Sequence, residues 1–290
     1  MFSGAIVAIV TPFDGGGIDE PAYARLIEDV IAGGVSGIVP CGTTGESATL
    51  THEEHERLID LTVDLVAGRV KVIAGTGSNS TDEAVRLTRH AMKAGADAAL
   101  LITPYYNKPT QKGLYEHYKQ VAASCDIPLI LYNVPGRTGV NLAAETTIEL
   151  SKIDTIVGIK EASGDLVKCS QIVRDTPGDF AVLSGDDALN YPILCLGGKG
   201  AISVTANVLP SKVSTLCDAW LKGDAETART IHLDLLEINQ ALFIETNPIP
   251  VKTALAMMGK VREEFRLPLC PMSGANRERL ASVLARYGCI

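Results

Sequence analysis

Short apolar runs recur along the chain at residues 5–10, 37–40, 70–74, 98–103, 128–133, 156–160, 180–184 and 200–204. They are rich in Val, Ile and Leu and mostly continuous rather than alternating, the pattern of strands covered on both faces. Between them the apolar positions follow helical spacing, as in residues 21–32, His52–Val66, Thr81–Ala94 and 113–124. Two of these segments begin with a capping-box signature, Thr51-His52-Glu53-Glu54 and Ser80-Thr81-Asp82-Glu83. Gly33, Gly34, Gly68 and Gly95 stand where helices should stop. Strands alternating with helices imply a parallel sheet, because each parallel crossover needs its own helix. Eight such units in one ring predict an α/β chain folded as a (β/α)8 TIM barrel. An open doubly wound sheet is the alternative, and it usually carries a Gly-rich dinucleotide loop after its first strand. Here the first run leads into Thr11-Pro12-Phe13-Asp14-Gly15-Gly16-Gly17, which does not match G-x-G-x-x-G.

From about residue 209 onward the pattern is helical only, at residues 212–221, 225–243, 251–258 and 275–285. That is more than the one helix needed to close a barrel. The expected organisation is a catalytic barrel over residues 1–223 and a C-terminal helical extension over residues 224–290, the latter a surface suited to oligomerisation. No repeat, low-complexity stretch or flexible linker interrupts it.

Composition narrows the partners. The formal charge is -8 over 290 residues, and the isoelectric point is near 5.2. Neither nucleic acid nor an anionic membrane suits such a chain. No apolar run approaches the roughly 18 residues that span a bilayer. The first basic residue is Arg25, so the apolar segment at residues 5–13 lacks the charged start of a signal peptide. The seven cysteines are scattered, odd in number and never spaced C-x-x-C. That favours reduced core thiols in a cytoplasmic protein over disulfides or a zinc site.

A TIM barrel carries its chemistry at the C-terminal ends of its strands. The residues falling there are Gly42-Thr43-Thr44-Gly45-Glu46, Tyr105-Tyr106, Tyr132 with Arg137, Lys160, Gly185-Asp186 and Ile202-Ser203. Lys160 ends a buried run. Burial of an amine disfavours its charged form, and a free amine in an enclosed pocket forms Schiff bases with carbonyls. A lysine reaching from a strand end to solvent or to an ion pair fits the same pattern. The Gly-Thr-Thr-Gly turn reads as a tight βα turn or as an anion cradle of backbone N–H groups and hydroxyls. Tyr132 reads as a core aromatic or a proton donor, Arg137 as a surface charge or a carboxylate fork, and Tyr105-Tyr106 as packing or an interface patch. Together, an amine, a tyrosine, a threonine pair and an arginine on one rim suit carbon–carbon chemistry on an α-keto acid through an imine.

Three motifs, in order and at strand-length spacing, carry a resemblance: Gly42-Thr43-Thr44-Gly45-Glu46, Tyr132-Asn133-Val134-Pro135-Gly136-Arg137-Thr138-Gly139, and Gly158-Ile159-Lys160-Glu161-Ala162-Ser163-Gly164. The chain resembles, along essentially its whole length, the dihydrodipicolinate synthase/N-acetylneuraminate lyase family. The resemblance implies a lyase of lysine and diaminopimelate biosynthesis that condenses pyruvate with L-aspartate-4-semialdehyde. It implies no cofactor and no metal. Lys160 matches the Schiff-base lysine and Tyr132 the general acid/base. Thr43 and Tyr106 match its partners in a proton relay, the tyrosine crossing from a neighbouring subunit of a homotetramer built from tight dimers. Thr44 matches the pyruvate carboxylate site, Arg137 the semialdehyde carboxylate site, and Gly185 and Ile202 pocket-lining positions. Sugar-acid lyases of the same family are the main alternative. Arg137 speaks against them, since they lack the Pro-Gly-Arg-Thr-Gly pattern after their tyrosine. A family member that has lost catalysis and a phosphate-substrate barrel are weaker alternatives.

The resemblance also implies a second site, for L-lysine as an inhibitor, at Ser47, Ala48, His52, His55, Asn79, Glu83 and Tyr105. A lysine ligand needs an anion for its amines and donors for its carboxylate. Glu83 also reads as the closing member of a capping box. His52 and His55 also read as a solvated helix start or half of a metal site, although no third ligand is near in sequence.

Overall fold

The computed structural model describes residues 2–290. The barrel strands are β1 (Gly4–Ala8), β2 (Gly37–Val39), β3 (Lys71–Gly75), β4 (Ala98–Ile102), β5 (Leu129–Asn133), β6 (Ile156–Glu161), β7 (Ala181–Ser184) and β8 (Gly200–Ser203). All are parallel, each pairs with its neighbours in sequence, and β1 pairs with both β8 and β2, which closes the ring. Every apolar run is therefore a barrel strand, with bounds shifted by a residue or two.

Helices cover the outside: α1 (Glu20–Ala32), α2 (His52–Val66), α3 (Thr81–Ala94), α4 (Gln111–Ser124), α5 (Ala144–Leu150), α6 (Leu166–Asp175), α7 (Asn190–Cys195) and α8 (Pro210–Leu221). The Thr51 capping box forms as expected, with the hydroxyl accepting from Glu54 N and the Glu54 side chain reaching back. That at Ser80 does not. The Ser80 side chain makes no cap bond. Ser78 Oγ accepts from Ser80 N at 3.0 Å and donates to Glu83 Oε2. The Glu83 carboxylate is thereby drawn away from the helix start. At the other end of α3, Gly95 takes the left-handed conformation (φ 91°) that a side chain would strain, and stops the helix.

Strand alternation sorts side chains into two sets. Ile6, Ala8, Val39, Ile73, Ala98, Leu100, Ile130, Tyr132, Ala181, Leu183 and Ile202 fill the barrel interior. Residues of opposite parity, such as Val7, Ile38, Leu101, Leu131 and Ile159, pack against the helices. A short two-stranded ribbon, Phe13–Asp14 with Gly17–Ile18, precedes α1, and the hydrophobic pattern does not foreshadow it.

Beyond the barrel lie α9 (Ala225–Ala241), α10 (Ile249–Met257) and α11 (Gly274–Arg286). Leu235, Ile238, Val251, Leu255, Leu280 and Leu284 belong to the same apolar cluster as Val7, Leu26 and Ile38. Four cysteines are buried as expected (Cys41, Cys125, Cys169 and Cys217), but Cys195 and Cys270 are exposed and Cys289 is half-buried. Their placement on α7, in the loop before α11 and in the final residues takes them outside the core. No helix among the described residues is long and apolar enough to cross a membrane.

Candidate active site

Tyr132 and Lys160 occupy paired positions on adjacent strands β5 and β6. Same parity turns both side chains into the barrel. The Lys160 amine sits over the Tyr132 ring, 4.3 Å from its centre, and Lys160 is only 5% exposed. Gly185 follows β7 and lies against the same side chain. A Cβ there would come within 3.0 Å of Lys160 Cγ and Cε, so the absent side chain is what gives the lysine room. Ile202 closes the interior beside them.

The turn after β2 is the candidate anion cradle. Gly45 N and Glu46 N bond back to Gly42 O and Thr43 O. Among the described residues, the N–H groups of Thr43 and Thr44 donate to no protein acceptor. Thr44 is buried, and its hydroxyl accepts from Asn247 Nδ2 at 3.0 Å. Accepting that bond leaves the hydroxyl proton free to be donated elsewhere. Arg137 follows β5 in a single helical turn, Pro135–Thr138, and its guanidinium donates to the main-chain oxygen of the same Asn247 at 2.9 Å. One residue from the segment before α10 thus touches both carboxylate-binding candidates. Asn-Pro at this point marks a turn in the sequence, but nothing in the pattern joins it to strands more than a hundred residues away.

Behind the strand ends, on the outward faces, lies a buried polar network. Asn133 follows Tyr132 and Glu161 follows Lys160, with side chains on the opposite side of the sheet. Glu161 accepts from Asn133 Nδ2 at 3.1 Å, from Ser163 N at 2.7 Å and from Lys168 Nζ at 3.0 Å. Asn133 Oδ1 accepts from Leu142 N at 2.9 Å, and Lys168 Nζ also donates to Asn141 Oδ1 at 2.8 Å. The sequence reading assigned no role to these residues.

Within one chain, Tyr106 is not part of this arrangement. It is 88% exposed and has a left-handed backbone (φ 70°). Among the described residues, no hydrogen bond joins it to Thr43 or Tyr132. The remaining candidates gather at a different place, where α2 and α3 begin. Glu83 accepts from Ser78 Oγ, and its Oε1 lies 2.7 Å from His52 Nε2. These two partners hold the Glu83 carboxyl below its usual range. Tyr105 stands beside Glu83, Ser78 and Asn79, and burial pushes its phenol up. Ser47 and Ala48 open the adjoining single turn of 3-10 helix. Among the described residues, no group of three or more His, Cys, Asp or Glu could hold a metal ion.

His55 is buried, and its Nδ1 has no hydrogen-bond partner among the described residues. Burial pushes its imidazole down to about 4, and His117 on α4 is pushed down to about 4 for the same reason. In the unfolded chain both would charge near pH 6.5. Between those values the unfolded state binds more protons, so acid favours unfolding. The stability due to these two rings is complete above about pH 6.5 and is lost progressively as pH falls towards 4. The melting temperature should fall between about pH 7 and about pH 5, and His117→Gln should flatten that decline. An unchanged slope in the variant would remove His117 as a cause.

The chain matches the model of the Dihydrodipicolinate synthetase family over residues 1–287. It is 61% identical over 290 residues, covering 100% of both chains, to the 4-hydroxy-tetrahydrodipicolinate synthase of Thermodesulfovibrio yellowstonii. Among solved structures it is similar to dihydrodipicolinate synthase from Aquifex aeolicus, with a TM-score of 0.98, 52% identity and 99% of each chain covered. It is also similar to the enzyme from Cyanidioschyzon merolae solved with lysine bound, with a TM-score of 0.97, 40% identity and coverage of 100% and 99%.

Proposed function

The chain belongs to the dihydrodipicolinate synthetase family, and from that premise we propose that it condenses pyruvate with L-aspartate-4-semialdehyde to 4-hydroxy-tetrahydrodipicolinate. The observation that carries this reading is the buried Lys160 amine lying on the Tyr132 ring inside the barrel mouth. The amine attacks the keto carbon of pyruvate, water leaves, and an imine forms. Loss of a methyl proton gives an enamine, whose carbon attacks the semialdehyde. The substrate's own amine then closes the ring and releases Lys160. Tyr132 is the group placed to move protons in these steps. The free N–H groups of the Thr43-Thr44 turn and the Thr44 hydroxyl receive the pyruvate carboxylate. Arg137 offers its planar fork to the carboxylate of the semialdehyde.

The test is pyruvate consumption by the purified protein with L-aspartate-4-semialdehyde as the only acceptor. Saturable consumption is expected. A folded sample that consumes none would overturn the reading.

Two finer points belong to the same proposal. Tyr106, exposed on its own chain, completes the site of a neighbouring copy within a cytoplasmic homotetramer of tight dimers. Tyr106→Phe is therefore expected to lower turnover by about tenfold or more with the melting temperature unchanged, and near-normal turnover would remove the relay role. L-lysine inhibits at the cluster around Glu83, where the carboxylate meets an amine and the Asn79-Tyr105 side meets the ligand's carboxylate. The support is that geometry together with the lysine-bound relative. Activity that is unchanged in millimolar lysine would exclude it.

A further inference from the structure

The turn that begins at Cys41 and ends at Glu46 is strained at both ends. Cys41 (φ 54°) and Glu46 (φ 55°) are both left-handed without being glycine. A side chain makes this conformation costly, and it persists only where its surroundings over-determine it. The groups that hold Glu46 come from the far end of the sequence. Lys252 Nζ, on α10, donates to Glu46 Oε1 at 2.5 Å, with the two side chains 0% and 1% exposed. The same ammonium lies 4.2 Å from the centre of the Phe13 ring and 5.1 Å from that of Phe265. Arg266 N donates to the other oxygen, Glu46 Oε2, at 3.4 Å.

Such a pair is a poor source of stability. Desolvating two charges costs about as much as their attraction returns, and well-packed apolar replacements are often neutral or better. Its place is more informative. Glu46 is two residues from Thr44, whose hydroxyl is held by Asn247. The turn is therefore gripped twice from one C-terminal segment, once at each of these residues. We infer that Lys252, acting through Glu46, is a positioning residue that fixes the Thr43-Thr44 turn in the conformation that binds the pyruvate carboxylate. This rests on the reading of that turn given above.

The experiment uses the double variant Glu46→Gln/Lys252→Met in the full chain. Methionine fills the lysine's path between the two rings, and no unpaired charge is left behind. The melting temperature should stay within a few degrees of the wild type. KM for pyruvate should rise about tenfold, while kcat and KM for the semialdehyde change less than about twofold. Amide hydrogen exchange at Thr43, Thr44, Gly45 and Glu46 should quicken. A lowered melting temperature with an unchanged pyruvate KM would make the pair merely structural and overturn the inference. If the wild type shows no turnover, the functional reading has failed instead. The exchange measurement then decides, and unchanged exchange at the turn overturns the inference. If the double variant does not fold, Glu46→Gln alone, which keeps an acceptor for Lys252, is read by the same measures.

Discussion

Replacing Lys160 with methionine is expected to abolish turnover, by about a thousandfold or more, while the protein stays folded. Lys160 is buried, yet among the described residues it has neither an ion-pair partner nor a hydrogen bond, only the face of Tyr132. An amine so placed is costly to keep. A methionine of similar length removes the polar group without opening a cavity, so the melting temperature should hold or rise. Borohydride with pyruvate should label the wild type at Lys160 and leave the variant unlabelled. More than about a tenth of wild-type turnover in the variant would exclude the imine route. Lost activity together with held stability is the signature of a residue kept for chemistry.

Lys168→Met should do the reverse to stability. Lys168 and Glu161 are 7% and 1% exposed in their side chains, 3.0 Å apart, and Glu161 is held further by Asn133 and Ser163. Removing the cation leaves a carboxylate buried with neutral donors only. Breaking such a pair from one side costs about 3–5 kcal/mol. Urea unfolding should show a lower midpoint with an unchanged slope. Adding Glu161→Gln, which removes the stranded charge, should recover a substantial part of the loss. A loss below about 1 kcal/mol in the single variant would mean that Glu161 does not depend on that amine.

The two substitutions show what the sequence disclosed. The barrel was legible because each strand is buried on both faces, which leaves a continuous apolar run, and because Lys160 ends one such run. Tyr132 and Lys160 were legible as strand-end chemistry, and their same-parity pairing follows from the register. Asn133 and Glu161 sit one residue further on, inside the same motifs, where nothing in the pattern marks a buried polar network. Their partners Asn141 and Lys168 come from a loop and a helix where a polar residue usually means solvent. Lys252 carried a visible signal, one charge inside the apolar stretch Ile249-Pro250-Val251-Lys252-Thr253-Ala254-Leu255. Its partner, 206 residues earlier, could not be read from spacing. The Ser80 box fails partly for a similar reason, since His52 takes the Glu83 carboxylate from 31 residues away, while Ser78 takes it locally. Exposure of Tyr106 is invisible to periodicity, which does not report the direction of a loop.

The bonds from Asn247 to Thr44 and from Lys252 to Glu46 span 203 and 206 residues of chain, and Asn207 reaches back to Val10 across 197. These separations put the site on a clock. Ribosomes add about 5–20 residues per second, so the turn after β2 waits on the order of ten seconds or more before its anchors are even synthesised. Contacts of such separation also form late and slowly. A growing chain can thus carry Lys160 and Tyr132, an amine and a phenol at strand ends, well before the turn after β2 has its anchors. That turn is complete only once the last quarter of the polypeptide docks onto the first.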